Sequence, residues 1–279
     1  MPRFPAITPA AAVVFLLLFV VGIALRVWSF EPFKGIGFDE GYYAQYVDQI
    51  SHDGWWNYPK LTQAYLDAQK SLPNGLPTPT RVTLVLGASA WHLLIGTSAV
   101  ESVRAVSCAA SILTLLVATA CVWRVKNAAF ALGMLALLTF SPTQLYMAHR
   151  ALADSCMCLI VLVALWSLWE ILAKSPGLWI WRTLFGISLV LLVLTKENAA
   201  FPYLGIVALV VVARWFGFGK VDAPLVLVTL LAPLLGVLVL CLCAGGWSTL
   251  VDIYSLDVAK SYSTPYAIAA EDGPWFRYI

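Results

Sequence analysis

The sequence predicts an all-α polytopic membrane protein, and three observations support this fold class. First, 61% of the 279 residues are hydrophobic and only 11% are charged, against about 25% charged in a soluble globular domain. Second, about seven apolar segments are long enough to cross, or nearly cross, a ~30 Å hydrocarbon core as helices. Third, the charged residues gather at the ends of these segments. The net charge of +2 is small and its basic residues are scattered, which argues against a nucleic-acid partner.

The first apolar segment, Ala10 to Trp28, is predicted to remain in the membrane as a signal anchor. It is too long for a signal-peptide core, and no small-residue cleavage site follows it. The polar stretch at 31–80 is interpreted as the first outer loop. It carries six acidic residues, more than other stretches of similar length: Glu31, Asp39, Glu40, Asp48, Asp53 and Asp67.

An amphipathic juxtamembrane helix is predicted inside this loop, because Tyr43, Val47 and Ile50 fall on one helical face. Asp39 is predicted to be its N-cap, with Phe38 and Tyr43 as a hydrophobic staple. Capping alone would explain Asp39. A second carboxylate beside it exceeds what a cap needs, so a catalytic pair at the membrane surface is the competing interpretation.

The run Arg81–Ile95 is predicted to be a half-inserted helix closed by Gly96, because fifteen residues reach only about 23 Å. The other predicted spans are Val103–Trp123, Ala128–Ala148, Ser155–Leu172, Thr183–Leu194, Pro202–Phe216 and Pro224–Ala244. With a cytoplasmic amino terminus, the positive-inside rule is then satisfied. The basic residues that it places inside are Arg3, Arg124, Lys126, Lys174, Arg182, Arg214 and Lys220.

The same assignment gathers the remaining charged turns on the outer face. These are the Asp39 loop, the His149–Asp154 turn, the Lys196-Glu197 turn and the tail after Gly245. The chain is expected to be one domain, 1–279, that forms the amino-terminal part of a longer protein. Its final residues are expected to enter another aromatic-belted helix.

Two further pairs carry candidate chemistry. Arg150 and Asp154 are four residues apart, so on a continuing helix they would form an ordinary ion pair. Lys196 beside Glu197 could be a snorkelling lysine. The functional interpretation is that ionisable groups at membrane depth mark a substrate path. The six cysteines lack histidine partners at metal-ligand spacing, so we interpret them as small core residues.

These landmarks, in this order, resemble the GT-C membrane glycosyltransferases, in the branch of protein O-mannosyltransferases and aminoarabinose transferases. The amino-terminal anchor followed by Asp39-Glu40 is the first point of resemblance. The later ones, which extend it over nearly the whole chain, are Gly96 with Glu101 and Arg104, Ser141-Pro142, His149-Arg150 with Asp154, and Leu194-Thr195-Lys196-Glu197. Where many members have Lys or His before Pro-Pro, this chain has Leu76–Arg81, and Arg81 is the candidate replacement.

The resemblance implies a GT-C-like bundle that moves a sugar from a polyprenyl-phosphate donor to an acceptor hydroxyl outside the cell membrane. It implies that Asp39 is the catalytic base, supported by Glu40. The implied substrate-binding residues are Arg104, His149, Arg150, Asp154, Lys196 and Glu197. Such a displacement needs a carboxylate for the acceptor proton and cations, or a divalent metal, for the departing phosphate. The sugar, the acceptor and the need for a metal are left open.

Two other functions compete with this one. A transporter subunit would use the acidic cluster as an ion vestibule, but it predicts charges within broken helices near the bilayer centre. A non-catalytic partner of glycan assembly would keep the fold without the reaction.

Overall fold

The computed structural model describes residues 8–28, 36–73 and 75–261, and within these ranges the chain is helical without strands. The helices are α1 (Pro9–Val27), α2 (Phe38–Asp53), α3 (Tyr58–Ser71), α4 (Val82–Ile95), α5 (Ala99–Val125), α6 (Ala128–Phe140), α7 (Pro142–His149), α8 (Asp154–Leu172), α9 (Leu178–Val193), α10 (Ala200–Phe216), α11 (Ala223–Ala244) and α12 (Trp247–Ser261). The predicted all-α class is confirmed. Glu31 and the aromatic segment that ends at Ile279 lie outside the described residues.

Among the residues that the structure describes, five helical segments are long and apolar enough to cross a membrane: α1, α5, α8, α10 with the turn before it, and α11. The count becomes six if the bent pair α6 and α7 forms one span. Helices α4 and α9 have 14 and 16 residues, or about 21 and 24 Å. The length of α4 agrees with the predicted half-inserted helix, and Gly96 closes it in the left-handed conformation. The predicted crossing at Thr183–Leu194 corresponds to α9, which falls short of crossing length.

The predicted span Ala128–Ala148 is bent by 55° between α6 and α7. Pro142 begins α7 and has no N–H, so it cannot donate to the carbonyl of Leu138, four residues earlier. Buried Arg26 on α1 supplies the missing donor, because its Nη2 lies 2.9 Å from that oxygen. The other guanidinium nitrogens bond the Ser111 hydroxyl at 2.9 Å and the Gly22 carbonyl at 3.0 Å. Arg26 therefore joins α1, α5 and the kink.

The loops and helix ends expected on the outer face do meet at one end of the bundle, which we call the acidic end. Its core includes Tyr43, Val47 and Ile50, which are fully buried, as their spacing predicts. The backbone N–H of Thr83 in α4 bonds the Leu194 carbonyl at 3.0 Å. Thr62 in α3 bonds the Cys243 carbonyl of α11 at 3.1 Å. The first contact joins α4 to the turn after α9, and the second joins α3 to α11.

The opposite end, which we call the basic end, holds its own ion pairs. Arg124 pairs with buried Glu170, and Arg182 pairs with Asp222. Helix α12 extends the acidic end beyond α11, so the described part of the tail after Gly245 is helical and lies at this end.

Candidate functional site

The first turn of α2 places Asp39 and Glu40 differently from the sequence prediction. Gly37 is the N-cap, in an extended conformation, and Glu40 accepts a hydrogen bond from its N–H at 2.8 Å. The predicted N-cap at Asp39 is therefore wrong: the Glu40 side chain, three residues after Gly37, accepts from the Gly37 N–H as the glutamate of a capping box does, while glycine supplies no side chain for the other half. The predicted staple is also wrong: Phe38 is 62% exposed and its ring packs against Tyr42, with centroids 5.1 Å apart.

Glu40 is a buried carboxylate of the acidic end that is bound by two arginines and by backbone N–H groups. It is 1% exposed. One oxygen lies 2.8 Å from Nη2 of Arg104, and the other lies 3.0 Å from Nε of Arg150. The N–H of Ala151 donates a further bond of 2.8 Å. A Cβ on Gly37 would lie 2.0 Å from Arg150, so only glycine allows this close approach.

The environment of Glu40 favours its charged form. Burial raises the pKa of the carboxyl, but hydrogen bonds from Arg104, Gly37 and Ala151, together with the charge of Arg104, outweigh burial and lower the pKa below its usual value. A carboxylate that accepts several donors behaves in this way. Glu40 is thus a fixed anion that positions two arginines.

Asp39 is the opposite case. It lies in the same helical turn, is partly exposed, and makes no hydrogen bond or ion pair with any of the described residues. Its carboxylate sits next to a buried, charge-paired neighbour and remains open to solvent. Asp39 is therefore the member of the pair whose carboxylate is accessible and has no partner among the described residues.

The turns before α8 and after α9 are joined by an ion pair. Nζ of Lys196 lies 2.9 Å from Asp154. The alternative pairing of Arg150 with Asp154 is wrong, because the helix ends at His149 and Arg150 is extended and turned towards Glu40. The alternative of a purely snorkelling Lys196 is also wrong. The predicted clustering of these residues is confirmed.

His149 takes part in the packing of α7 on α1. Its Nε2 lies 2.9 Å from the Leu25 carbonyl oxygen near the end of α1. This contact gives the ring a structural role, while its assignment to substrate binding is a prediction that the geometry leaves untested.

A second polar group at the acidic end went largely unrecognised in the sequence. Arg81 pairs with Glu197 at 2.9 Å, bonds the Tyr43 hydroxyl, and lies over the Tyr43 ring at 5.4 Å. Asp257 and Tyr254 approach this pair from α12. Burial, and then the charge of Glu197, raise the pKa of Asp257, while Arg81 opposes the rise. The sequence indicated only that Tyr43 lies on the apolar face of its helix. No sequence pattern near Tyr254 or Asp257 indicated that α12 belongs to this group.

The described residues contain no group of three His, Cys, Asp or Glu side chains placed to hold a metal ion. Both oxygens of Glu40 are already bound by arginines, so the adjacent carboxylates do not form a ready pair of metal ligands. The positive charge of the site comes from Arg81, Arg104, Arg150 and Lys196.

No protein-family model, curated protein or solved structure matches this chain.

Proposed function

We propose that this protein is a membrane glycosyltransferase that moves a sugar from a polyprenyl-phosphate donor to an acceptor hydroxyl, with Asp39 as the base. The observation that carries the proposal is that the two adjacent carboxylates have different environments. Asp39 is partly exposed and without a partner among the described residues, whereas Glu40 is buried and bound to Arg104 and Arg150. One carboxylate is thus available for proton transfer while its neighbour orders the cations.

The reaction needs a negatively charged group to accept a proton and positively charged groups to stabilise the departing phosphate, both at one site. The acceptor oxygen attacks the anomeric carbon, the bond from that carbon to the phosphate oxygen breaks, and the phosphate leaves with the electron pair. Asp39 takes the acceptor proton. Arg104, Arg150 and Lys196 stabilise the departing phosphate, as fixed cations do for developing negative charge. Their partners Glu40 and Asp154 hold these cations in place. Because the acceptor attacks the anomeric carbon directly as the phosphate leaves, the reaction is a single displacement with inversion.

The location at a helix-end cluster suits a lipid-linked donor. A polyprenyl-phosphate donor would keep its lipid tail in the bilayer beside the five to six crossing-length segments of the described residues, while the acidic end presents charged groups at the surface. We propose that this end faces outside the cell membrane, because the basic residues Arg124, Lys126, Lys174 and Lys220 lie at the opposite end. Donor and membrane lipids are then the partners. The order of helices and charged turns supports a GT-C-like arrangement.

Asp39→Asn tests the base directly. The substitution removes the proton acceptor and keeps the side-chain size, so transfer of labelled sugar in membranes containing the protein should fall by ~10²-fold or more. Asp48→Asn, on the exposed face of the same helix, is the matched control and should transfer at the unmutated rate. Transfer by Asp39→Asn at the rate of Asp48→Asn would refute the proposal.

Lys196→Gln tests the donor side. It should raise the donor concentration needed for half-maximal transfer and leave the acceptor dependence unchanged. Asp154→Asn keeps the lysine and removes only its partner, so a smaller effect on the donor is expected. Equal effects of both variants would assign the pair a structural role.

A further inference from the structure

An apolar groove runs along the outside of the bundle between α8 and α10. Its volume is about 370 Å³, and its walls include Leu165, Trp169, Leu209, Val212 and Phe218. All five side chains are more than a third exposed. Both helices belong to crossing-length segments, so in a membrane this groove faces the lipid chains and not water.

Two lysines stand at the basic end of the groove. The N–H of Lys174 bonds the Ile171 carbonyl at 3.0 Å, and the N–H of Lys220 bonds the Leu172 carbonyl at 3.3 Å. Both residues are exposed, and their neighbours Ala173 and Phe218 belong to the groove wall. The last carbonyls of α8 therefore hold the backbones of two lysines beside the end of the apolar groove.

The two ammonium groups are close enough to repel each other. Contact with Lys220, and then its charge, lower the pKa of Lys174 below its usual value. Asp222, which acts in the opposite direction on Lys174, is itself paired with Arg182. One lysine would complement the negative end of the α8 dipole. A second lysine beside it adds repulsion that an anion between them would remove.

The backbone of Lys174 ends α8. Its φ of 52° is the one left-handed value at a non-glycine residue in the described part of the chain. The Lys174 N–H bonds the Ile171 carbonyl at 3.0 Å and the Ser175 N–H bonds the Glu170 carbonyl at 3.0 Å, so this left-handed residue closes the helix in a Schellman motif. Here it turns the chain after α8 so that Lys174 stands beside Lys220.

We infer that this groove is a binding site for an anionic phospholipid. The phosphate of the lipid lies between Lys174 and Lys220, and one acyl chain fills the groove between α8 and α10. Charge complementarity selects the occupant: the walls are apolar, the mouth is cationic, and a phosphodiester lipid at the membrane surface carries both matching parts. The site lies at the opposite end from Asp39 and does not depend on the proposed reaction.

The test uses the whole chain purified with a limiting mixture of phosphatidylglycerol and phosphatidylcholine, with retained lipid measured by native mass spectrometry. The unmutated protein should retain phosphatidylglycerol in preference, and the Lys174→Gln/Lys220→Gln variant should lose this preference by on the order of tenfold. The matched control is Lys60→Gln/Lys70→Gln, which removes the same charge from exposed positions on α3 at the other end. It should retain the unmutated preference. Equal losses in both double variants, or no loss in either, would overturn the inference.

A second pair of variants separates a lipid from free phosphate. Leu209→Trp fills the groove and leaves both lysines, so it should lower retention of phosphatidylglycerol. Leu227→Trp, in the neighbouring cavity between α9 and α11, should not. Competition by inorganic phosphate at the lipid concentration should be weak, because phosphate lacks the chain that binds the groove. Full competition by phosphate, or unchanged retention in Leu209→Trp, would exclude the phospholipid.

Discussion

Nη2 of Arg26 lies 2.9 Å from the carbonyl oxygen of Leu138, the oxygen that Pro142 leaves without its helical donor. Proline is tolerated in membrane helices because neighbouring groups satisfy the carbonyl that it releases. Here that group is a buried arginine on another helix. The kink between α6 and α7 therefore depends on a residue more than a hundred positions away.

A double-mutant cycle between Arg26 and Pro142 tests this dependence. Arg26→Met leaves the Leu138 carbonyl without a donor and should lower the free energy of unfolding by about 1–3 kcal/mol. In a Pro142→Ala background, the new N–H at position 142 can serve that carbonyl, so the same change should be at least about 1 kcal/mol less destabilising. Thermal unfolding in detergent measures both. Equal losses in the two backgrounds would separate Arg26 from the kink.

Glu40→Gln should destabilise the protein, whereas Asp39→Asn should not. Removing the Glu40 charge leaves Arg104 and Arg150 uncompensated. Because these arginines are 30% and 22% exposed, we expect a loss of about 2–3 kcal/mol in the free energy of unfolding, less than the 3–5 kcal/mol of a fully buried pair.

Acid titration checks that this stabilisation comes from the charge of Glu40. The folded-state pKa of Glu40 is lowered, so its stabilisation is complete above the unfolded-state pKa and is lost as the pH falls through the folded-state pKa. The Glu40→Gln variant should lack the loss of stability that protonation of Glu40 causes in acid. An unchanged acid transition would contradict the ion pairs of Glu40 with Arg104 and Arg150.

Asp257→Asn should have the opposite dependence on pH. The pKa of Asp257 is raised in the folded state. Its favourable contribution is therefore complete below the unfolded-state pKa and is lost as the pH rises through the folded-state pKa. At neutral pH the substitution should stabilise the protein, and below pH ~4 the two proteins should unfold alike. Asp252→Asn, exposed on the same helix, is the control. A gain that does not vary with pH would point to packing and not to charge.

The orientation of the bundle can be measured by cysteine labelling. In a background without the six native cysteines, single cysteines at Asp53 and Lys60 should react with an impermeant thiol reagent from outside intact cells. Cysteines at Lys126 and Lys220, exposed at the basic end, should react only after the membrane is opened. Labelling at Lys126 in intact cells would reverse the proposed orientation.

The sequence alone determined the helical membrane class, most of the crossing segments and the gathering of the charged turns at one end. These features depend on segment length, hydrophobicity and the alternation of direction at each crossing, which are local or additive quantities. The one-sided burial of Tyr43, Val47 and Ile50 followed from the helical period in the same way. At α9 the predicted apolar helix is found, and its 16 residues are shorter than the length of a crossing.

Only the tertiary structure decided which charges pair and which carboxylate remains open. Spacing favoured Arg150 with Asp154, but the chain leaves the helix after His149, so Arg150 reaches Glu40 and Asp154 reaches Lys196. The N-cap fell on Gly37, whose N–H bonds Glu40, a side chain that distant Arg104 and Arg150 also hold. Several like charges lie within reach of one another at the acidic end. Their pairing follows from distances of a few ångströms in three dimensions, and these distances leave no periodic trace in the sequence.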